Sequence, residues 1–185
     1  MPDRDELQLI QLVQEGNHDA FRELVQRHMR QAYNVAFGFL NDHDEADDIS
    51  QLAFVKVHQS IASFRGESEF ATWLHRIVVN LSMTRLKKRK RQTLTEVNLH
   101  DAELLAGPGE VHSDRIGRTH HVERALHELP TLQRAVVILR HLEGLSTRQV
   151  SKILDCSEGT VKTHLYRGLK KMRDRLSFLE HEAFA

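Results

Sequence analysis

Residues 144–176 combine apolar and basic side chains in a pattern that fits contact with DNA. An apolar residue recurs at steps of four, four, three and four, which places one stripe along a helix: Val161, Leu165, Leu169, Met172 and Leu176. The opposite face carries cations and hydroxyls: Lys162, Thr163, Tyr166, Arg167, Lys170 and Arg173. Cations bind phosphates, and Arg, Lys or Thr side chains can reach base edges in the major groove. The pattern therefore predicts a DNA-reading helix.

A second, shorter helix is expected just before it, over residues 146–154. Ser146 can cap this helix through its hydroxyl, and Val150 and Ile153 supply a buried stripe. A short polar turn follows, with Ser157 placed to cap the longer helix. The two segments together predict a helix-turn-helix. A generic helical bundle with a solvated basic face is the alternative, and the agreement of spacing, turn and charge favours DNA binding.

The net charge of zero hides two basic zones. Residues 1–84 hold 7 Lys+Arg against 13 Asp+Glu, whereas residues 85–91 hold six cations and no acid. A second excess of cations lies near residues 162–175. Two separate positive patches suggest two separate contacts with nucleic acid.

An aromatic loop, residues 63–70, lies ahead of the first basic zone. Phe64, Phe70 and the single Trp73 offer ring surfaces for stacking, and hydroxyls and cations stand beside them. Such a combination suits an unpaired base and its backbone. The alternative is that the three rings belong to the core, which we expect of at least two of them.

The segment 44–63 is expected to be a helix with apolar residues on two sides. Ile49, Ala53 and Val57 form one stripe, while Phe54 and Val55 project elsewhere. Such a helix is either deeply buried or has a partner on its second side, and the sequence leaves both open.

Acidic residues gather where that helix begins: Asp42, Asp44, Glu45, Asp47 and Asp48. They could hold a metal ion for phosphate chemistry, or they could follow the preference of a helix N-terminus for acids. We favour the second, because no further ligand motif accompanies them.

The whole chain of 185 residues predicts an all-α fold of two small helical domains joined by a flexible linker. We expect the first domain over residues 1–91, the linker over 92–119, where Gly107-Pro108-Gly109 breaks any helix, and the second domain over 120–185. In the first domain, helices are expected over about 7–15, from a cap at Asp19, over 44–63 and over 68–91.

Several function classes are disfavoured by what the sequence lacks. No apolar run of about 18 residues and no signal-peptide core are present, so we expect no membrane insertion. One cysteine, Cys156, excludes an internal disulfide and fits a cytoplasmic location. The sequence has no phosphate loop and no nucleophile–base pair, so we expect no enzyme activity, no cofactor and no metal.

Several short motifs occur in a fixed order along the chain. In the first half they are residues 47–57 (DDISQLAFVKV), 63–66 (SFRG), 70–74 (FATWL) and 76–80 (RIVVN). In the second half they are Leu129-Pro130, residues 143–146 (EGLS) and residues 159–165 (GTVKTHL). In these motifs and their order, the chain resembles the extracytoplasmic-function (ECF) group of RNA polymerase sigma factors within the sigma-70 family.

The resemblance implies roles for three groups of residues. Core polymerase would be bound by Asp47, Asp48, Gln51, Phe54, Val55 and Lys56. The −10 element would be read and opened by Phe64, Arg65, Ser68, Phe70, Trp73, Arg76, Asn80, Arg85, Lys87 and Lys88. The −35 element would be read by Thr160, Lys162, Thr163, His164, Tyr166, Arg167 and Lys170, with Arg148 on phosphate.

The resemblance also implies the partners. They are core RNA polymerase, through the clamp and flap, then promoter DNA and an anti-sigma factor that holds the protein inactive. Two other classes stay open: a two-domain repressor or activator that never contacts polymerase, and a phosphate-cleaving metalloenzyme that uses the acidic cluster. The first would bind duplex DNA tightly alone, and the second would lose activity on chelation.

Overall fold

The computed structural model describes residues 4–97 and 114–182, which form helices joined by short turns and loops and contain no strand. Eight α-helices follow one another: α1 (Arg4–Gln14), α2 (His18–Leu40), α3 (His43–Ser60), α4 (Phe70–Val97), α5 (Asp114–His127), α6 (Thr131–Val137), α7 (Thr147–Leu154) and α8 (Glu158–Glu182). A 3₁₀ turn, Ile61–Ser63, extends α3, and a π-helical turn, Ile138–Leu142, extends α6. The all-α prediction is confirmed.

Side-chain caps fix where the helices begin. Asn17 caps α2 by accepting hydrogen bonds from the backbone N–H groups of Asp19 and Ala20, so Asp19 is not the cap we expected. Asp42 caps α3 through the N–H of Glu45. A short polar side chain satisfies donors that the first helical turn leaves without partners.

Helices extend into both ends of the linker expected over residues 92–119. Residues 92–97 continue α4, and residues 114–119 already belong to α5. The sequence contains no Gly or Pro between 85 and 97, so nothing there stops the helix. The middle of the expected linker, including Gly107-Pro108-Gly109, lies outside the described residues.

Two groups of helices form the core. Helices α1 to α4 pack around Leu24, Phe39 and Leu74, which are fully buried, and α5 to α8 pack around Val136 and Leu139. The groups also contact each other, α4 against α7 and α2 against α5 and the π turn, so that one apolar cluster runs through both. The two groups of helices therefore lie against each other in this structure.

Candidate nucleic-acid and partner interfaces

The helix-turn-helix is built by α7, α8 and a tight turn between them. α7 begins with a capping box: Ser146 Oγ accepts from the N–H of Gln149, and the Gln149 side chain accepts from the N–H of Ser146. Asp155 ends α7 in the left-handed conformation, at φ 50°. Ser157 Oγ then accepts from the N–H of Thr160, 3.0 Å away, and pairs with the Thr160 hydroxyl. Threonine thus replaces the Glu or Gln of a capping box at the start of α8.

The outer face of α8 presents the side chains that the sequence singles out for DNA. Lys162, Thr163, Tyr166, Arg167 and Lys170 are exposed, as is Arg148 on α7. Val161 is fully buried on the opposite side. Within residues 4–97 and 114–182, no acidic side chain forms an ion pair with Lys162, Arg167 or Lys170. Their charges are therefore available to phosphates.

Two of the predicted −35 residues are less accessible. Thr160 and His164 are half-buried, and Thr160 already takes part in the cap described above. Thr163, although exposed, donates its hydroxyl hydrogen to the carbonyl of Gly159, 2.9 Å away. Its hydroxyl oxygen can still accept a hydrogen bond from a base.

The −10 candidates in the aromatic loop and at the start of α4 differ in how far they are buried. Phe70 is only 1% exposed and packs against His28, Phe64 and Trp73, so the expectation that it contacts DNA is wrong for this conformation. Phe64 and Trp73 are half-buried, with ring centroids 5.1 Å apart. The polar −10 candidates Arg65, Arg76 and Asn80 are exposed, and Ser68 is half-buried.

The basic run of α4, residues 85–91, contains cations that pair with acids of α3 and cations that are exposed. Arg85 lies 3.7 Å from both Glu45 and Asp48 of α3, and Arg89 lies 3.1 Å from Glu45. Arg85, which we expected to contact DNA, therefore pairs with acidic residues at the start of α3 and stabilises the packing of α4 against it. Lys87 and Lys88 are exposed and remain candidates for phosphate.

The same contacts account for the acidic cluster. Asp42 caps α3, Glu45 and Asp48 pair with arginines, and Asp47 accepts from the Gln51 side chain. In the described part of the chain, no three acidic, His or Cys residues are placed to hold a metal ion. Capping and ion pairing therefore give Asp42, Glu45 and Asp48 a structural role.

An apolar groove of about 400 Å³ lies between α2 and α3. It is lined by Phe21, Val25, Met29, Gln51, Phe54, Val55, His58 and Gln59. Phe54 forms its floor and is 4% exposed, whereas Val55 at the rim is 50% exposed. The other predicted core-binding residues, Asp47, Asp48, Gln51 and Lys56, are exposed on the same helix. The α2 side of this groove was not predicted, although Phe21, Val25 and Met29 recur at steps of four, which indicates one helix face.

A second cavity, of about 660 Å³, opens between the two groups of helices. Its lining joins −10 candidates to the helix-turn-helix: Ser63, Phe64, Arg65, Glu67, Ser68, Thr72, Trp73, Arg76, Lys152, Ile153 and Asp155. Gln149 of α7 reaches α4, with its side-chain nitrogen 3.3 Å from Glu69 Oε2 and 3.4 Å from Thr72 Oγ1.

Arg134 of α6 binds the end of α2. Its guanidinium donates to the carbonyl of Phe39, 2.8 Å away, and to the carbonyl and Nδ1 of His127. Burial and the neighbouring Arg134 charge lower the pKa of His127 from its ordinary 6.5 to about 4. His127 is therefore neutral at pH 7, and its Nδ1 can accept.

Within residues 4–97 and 114–182, the fold and these surfaces define the class of all-helical proteins that carry a helix-turn-helix. Residues 24–92 match the family model for Sigma-70 region 2, and residues 120–172 match that for Sigma-70, region 4. The chain is similar to the RNA polymerase sigma-H factor of Pseudomonas aeruginosa, 32% identical across 95% of this chain and 96% of the relative. It is also 31% identical to the ECF RNA polymerase sigma-E factor of Haemophilus influenzae, across 91% of this chain and 93% of the relative. The chain belongs to the ECF group of RNA polymerase sigma factors, which are transcription initiation factors.

Solved structures share the fold. The sigma factor RpoE in complex with the anti-sigma factor NepR, from Bartonella quintana, superimposes with a TM-score of 0.70 at 23% identity, over 85% of this chain and 96% of that one. CnrH in complex with the cytosolic domain of CnrY superimposes with a TM-score of 0.69 at 24% identity, over 95% of this chain and 98% of that one. Among the helices of the described residues, none is long and apolar enough to cross a membrane.

Proposed function

We propose that this sigma factor reads the −35 element with the exposed face of α8. The observation that carries the proposal is the row of cations and hydroxyls on that face, free of acidic partners in the described chain and held by a doubly capped helix-turn-helix. Arg167 and Lys162 would contact base edges or phosphates, Thr163 and Tyr166 would supply hydroxyls, and Arg148 would hold the backbone.

The −10 element would be read by the loop after α3 and the first turns of α4. Phe64 and Trp73 keep part of their ring surfaces accessible, which suits stacking on an unpaired base, and Arg65, Arg76 and Asn80 stand around them. Lys87 and Lys88 would follow the phosphate backbone. Residues 1–91 would thus form the −10 domain and residues 120–185 the −35 domain.

Core polymerase would be bound at the groove between α2 and α3. Exposed Leu52 and Val55, flanked by Asp47, Gln51 and Lys56, present an apolar centre with a polar rim, as protein interfaces usually do. The clamp of the largest subunit would occupy this groove, and the flap would contact the −35 domain.

Control by an anti-sigma factor would fit two solved structures of the same fold: the sigma factor RpoE is bound there to the anti-sigma factor NepR, and CnrH is bound to the cytosolic domain of CnrY. The protein would act in the cytoplasm, where core polymerase and promoters are, and by binding rather than by catalysis.

The experiment is run-off transcription by bacterial core RNA polymerase on a pool of genomic promoters, with and without this protein. We expect new, discrete start sites that share two upstream elements. Arg167→Ala should reduce these transcripts, whereas Leu12→Ala, an exposed residue of α1, should not. No transcripts, together with tight binding of the protein alone to duplex DNA, would contradict the proposal and favour a repressor.

A further inference from the structure

Helix α1 carries none of the residues assigned above to DNA or polymerase, yet it contacts the aromatic loop and the 3₁₀ turn before it. Leu7, Ile10 and Gln14 lie three and four residues apart and therefore share one face of α1. Ile10, between the other two, is 3% exposed and belongs to the core. Leu7 and Gln14, about two turns apart, reach two different parts of the loop segment.

The side-chain amide of Gln14 joins α1 to the start of this segment by two hydrogen bonds. Its Nε2 donates to the carbonyl of Ile61, 2.8 Å away, and to the carbonyl of Phe64, 2.9 Å away. One amide nitrogen carries two hydrogens, so both bonds can exist at the same time. The carbonyl of Ile61 also accepts from the N–H of Phe64, which closes the 3₁₀ turn. Gln14 thus fixes the backbone where this turn passes into the aromatic loop.

Two further contacts lead from α1 to the middle and the end of the aromatic loop. Gly66 has a φ of +70°, which glycine adopts without strain, and a Cβ there would lie 3.9 Å from Leu7 Cδ2. Glu6 Oε1 lies 2.8 Å from His28 Nε2, and the His28 ring packs against Phe70 with centroids 4.9 Å apart. Helix α1 therefore contacts the start, the middle and, through His28, the end of the loop.

The order of this loop matters because its accessible groups are those proposed to read DNA. The ring of Phe64 packs edge-on against buried Phe70, with centroids 6.0 Å apart, and lies 5.1 Å from the ring of Trp73. A hydrogen bond to the carbonyl of Phe64 therefore fixes the residue whose ring would stack on a base. Without that bond, Phe64 would have to be ordered at the moment of binding, which costs affinity.

The exposure of Gln14 limits its contribution to the stability of the fold. If its amide is removed, water can bond the carbonyl of Phe64, and the carbonyl of Ile61 keeps the N–H of Phe64. Helix α1 is held to the core by other side chains that are buried: Leu9, Ile10 and Val13. Variants of Gln14 should therefore stay folded while the loop loses order, so positioning and stability can be measured separately.

We propose that Gln14 is a positioning residue for promoter reading: it orders the 3₁₀ turn and Phe64 before a single-stranded −10 element binds. Gln14 contacts no nucleic acid in this role and acts through the backbone of Phe64. The part in promoter reading rests on the proposed function, whereas the ordering of the loop by Gln14 does not.

The first measurement is hydrogen–deuterium exchange over residues 61–70 in the full chain. Gln14→Glu keeps the shape of the side chain but removes both donors, and Gln11→Glu, at an exposed residue of the same helix, is the control matched in charge. We expect faster exchange in Gln14→Glu and in Gln14→Ala, and exchange like that of the parent in Gln11→Glu. Gln14→Arg, whose guanidinium again offers N–H donors, should restore slow exchange.

The second measurement is the preference of the holoenzyme for a single-stranded −10 element. The strand comes from a promoter found by run-off transcription, and a scrambled strand of the same composition is the reference. We expect Gln14→Glu and Gln14→Ala to lower the preference about fivefold, the lower end of the cost of losing one stacked base. Gln11→Glu and Gln11→Ala should keep the preference. Binding to duplex −35 DNA and the urea midpoint should stay near those of the parent in all four variants.

Three outcomes would overturn the proposal. Exchange like that of the parent in both Gln14→Glu and Gln14→Ala would show that the two bonds do not order the loop. Faster exchange with an unchanged −10 preference would remove the role in recognition, and an equal loss in the Gln11 variants would assign the effect to the surface of α1. A parent holoenzyme without any −10 preference, while exchange still responds to Gln14, would count against the proposed function and not against the ordering of the loop.

Discussion

Thr163 and Arg167 lie one helical turn apart on the outer face of α8, with Tyr166 beside them. All three are exposed, and the apolar residues of α8 that pack against the domain lie on the opposite side. The types of these residues and their face could be predicted from the sequence alone, because a period of 3.6 residues separates a packed side from a solvent side. Which of the three contacts a base depends on how α8 lies on the DNA, and the protein sequence alone does not determine that position.

The substitution Arg167→Ala distinguishes a contact of Arg167 with a base from a contact with phosphate. If Arg167 contacts a base, we expect a loss of about 1–3 kcal/mol on the preferred −35 sequence and relaxed specificity there. Arg167→Lys is the matched variant, because it keeps the charge but loses bidentate geometry. Binding measured on a set of −35 sequences checks this, and an equal loss on all sequences would assign Arg167 to phosphate.

Phe54 and Val55 are neighbours in sequence and differ in role. The sequence placed both on a second apolar side of α3, but the structure buries Phe54 and leaves Val55 half exposed. Whether an apolar residue faces a partner or the core depends on how α2 packs against α3, which the periodicity of one helix does not reveal.

Val55→Lys should therefore weaken binding to core polymerase while the fold remains intact. Phe54→Ala should instead lower the free energy of unfolding by about 3–5 kcal/mol, the usual cost of truncating a buried Phe. Denaturant unfolding and a pull-down with core polymerase distinguish the two effects. Leu12→Lys, at an exposed apolar residue of α1, is the control and should keep polymerase binding; equal loss in both lysine variants would argue against the groove.

At the scale of elements, the basic end of α4 shows what charge patterning can and cannot predict. The sequence located the cations correctly, but it did not distinguish Arg85, paired with acids of α3, from the exposed Lys87 and Lys88. The pairing spans some forty residues of chain and depends on two helices lying side by side. The sequence around Arg85 alone therefore does not predict this pairing.

Lys87→Gln with Lys88→Gln should flatten the salt dependence of promoter binding by the holoenzyme. Each lost phosphate contact should reduce the slope of log K against log salt by about 0.7–0.9. Arg85→Gln, one turn away, should mainly destabilise the packing of α4 on α3 and leave the slope unchanged. Titrations at several salt concentrations check this, and an unchanged slope in the lysine double variant would remove these residues from the interface.

His127 gives the junction of α5 and α6 a pH dependence. Its pKa falls from 6.5 to about 4 in the folded chain, so between these values the unfolded chain binds a proton that the folded chain does not. Stability contributed by neutral His127 is therefore fully present above pH 6.5 and is lost as pH falls towards 4. His127→Gln should make the unfolding midpoint less sensitive to pH in this window. Urea unfolding across this window measures the effect, and parallel curves for parent and His127→Gln would contradict it.

At the scale of the whole molecule, the sequence predicted two helical domains but not their contact. The residues that make polar contacts between them lie far apart in the chain, 68 residues for His75 and Glu143 and 95 for Phe39 and Arg134. Hydrophobic periodicity shows which face of a helix is buried, but it does not show which other helix covers that face. Polar contacts between domains leave no periodic signal at all.

The contacts that join the two domains also bear on how this protein competes with others. Core polymerase is a shared resource, and each sigma factor obtains a portion that depends on its concentration and its effective affinity. Helix α2 lines the groove proposed for polymerase and also contacts α5 and the π-helical turn of the other group of helices. A substitution that shifts α2 would therefore change the affinity for polymerase and, with it, the portion of polymerase that this protein obtains.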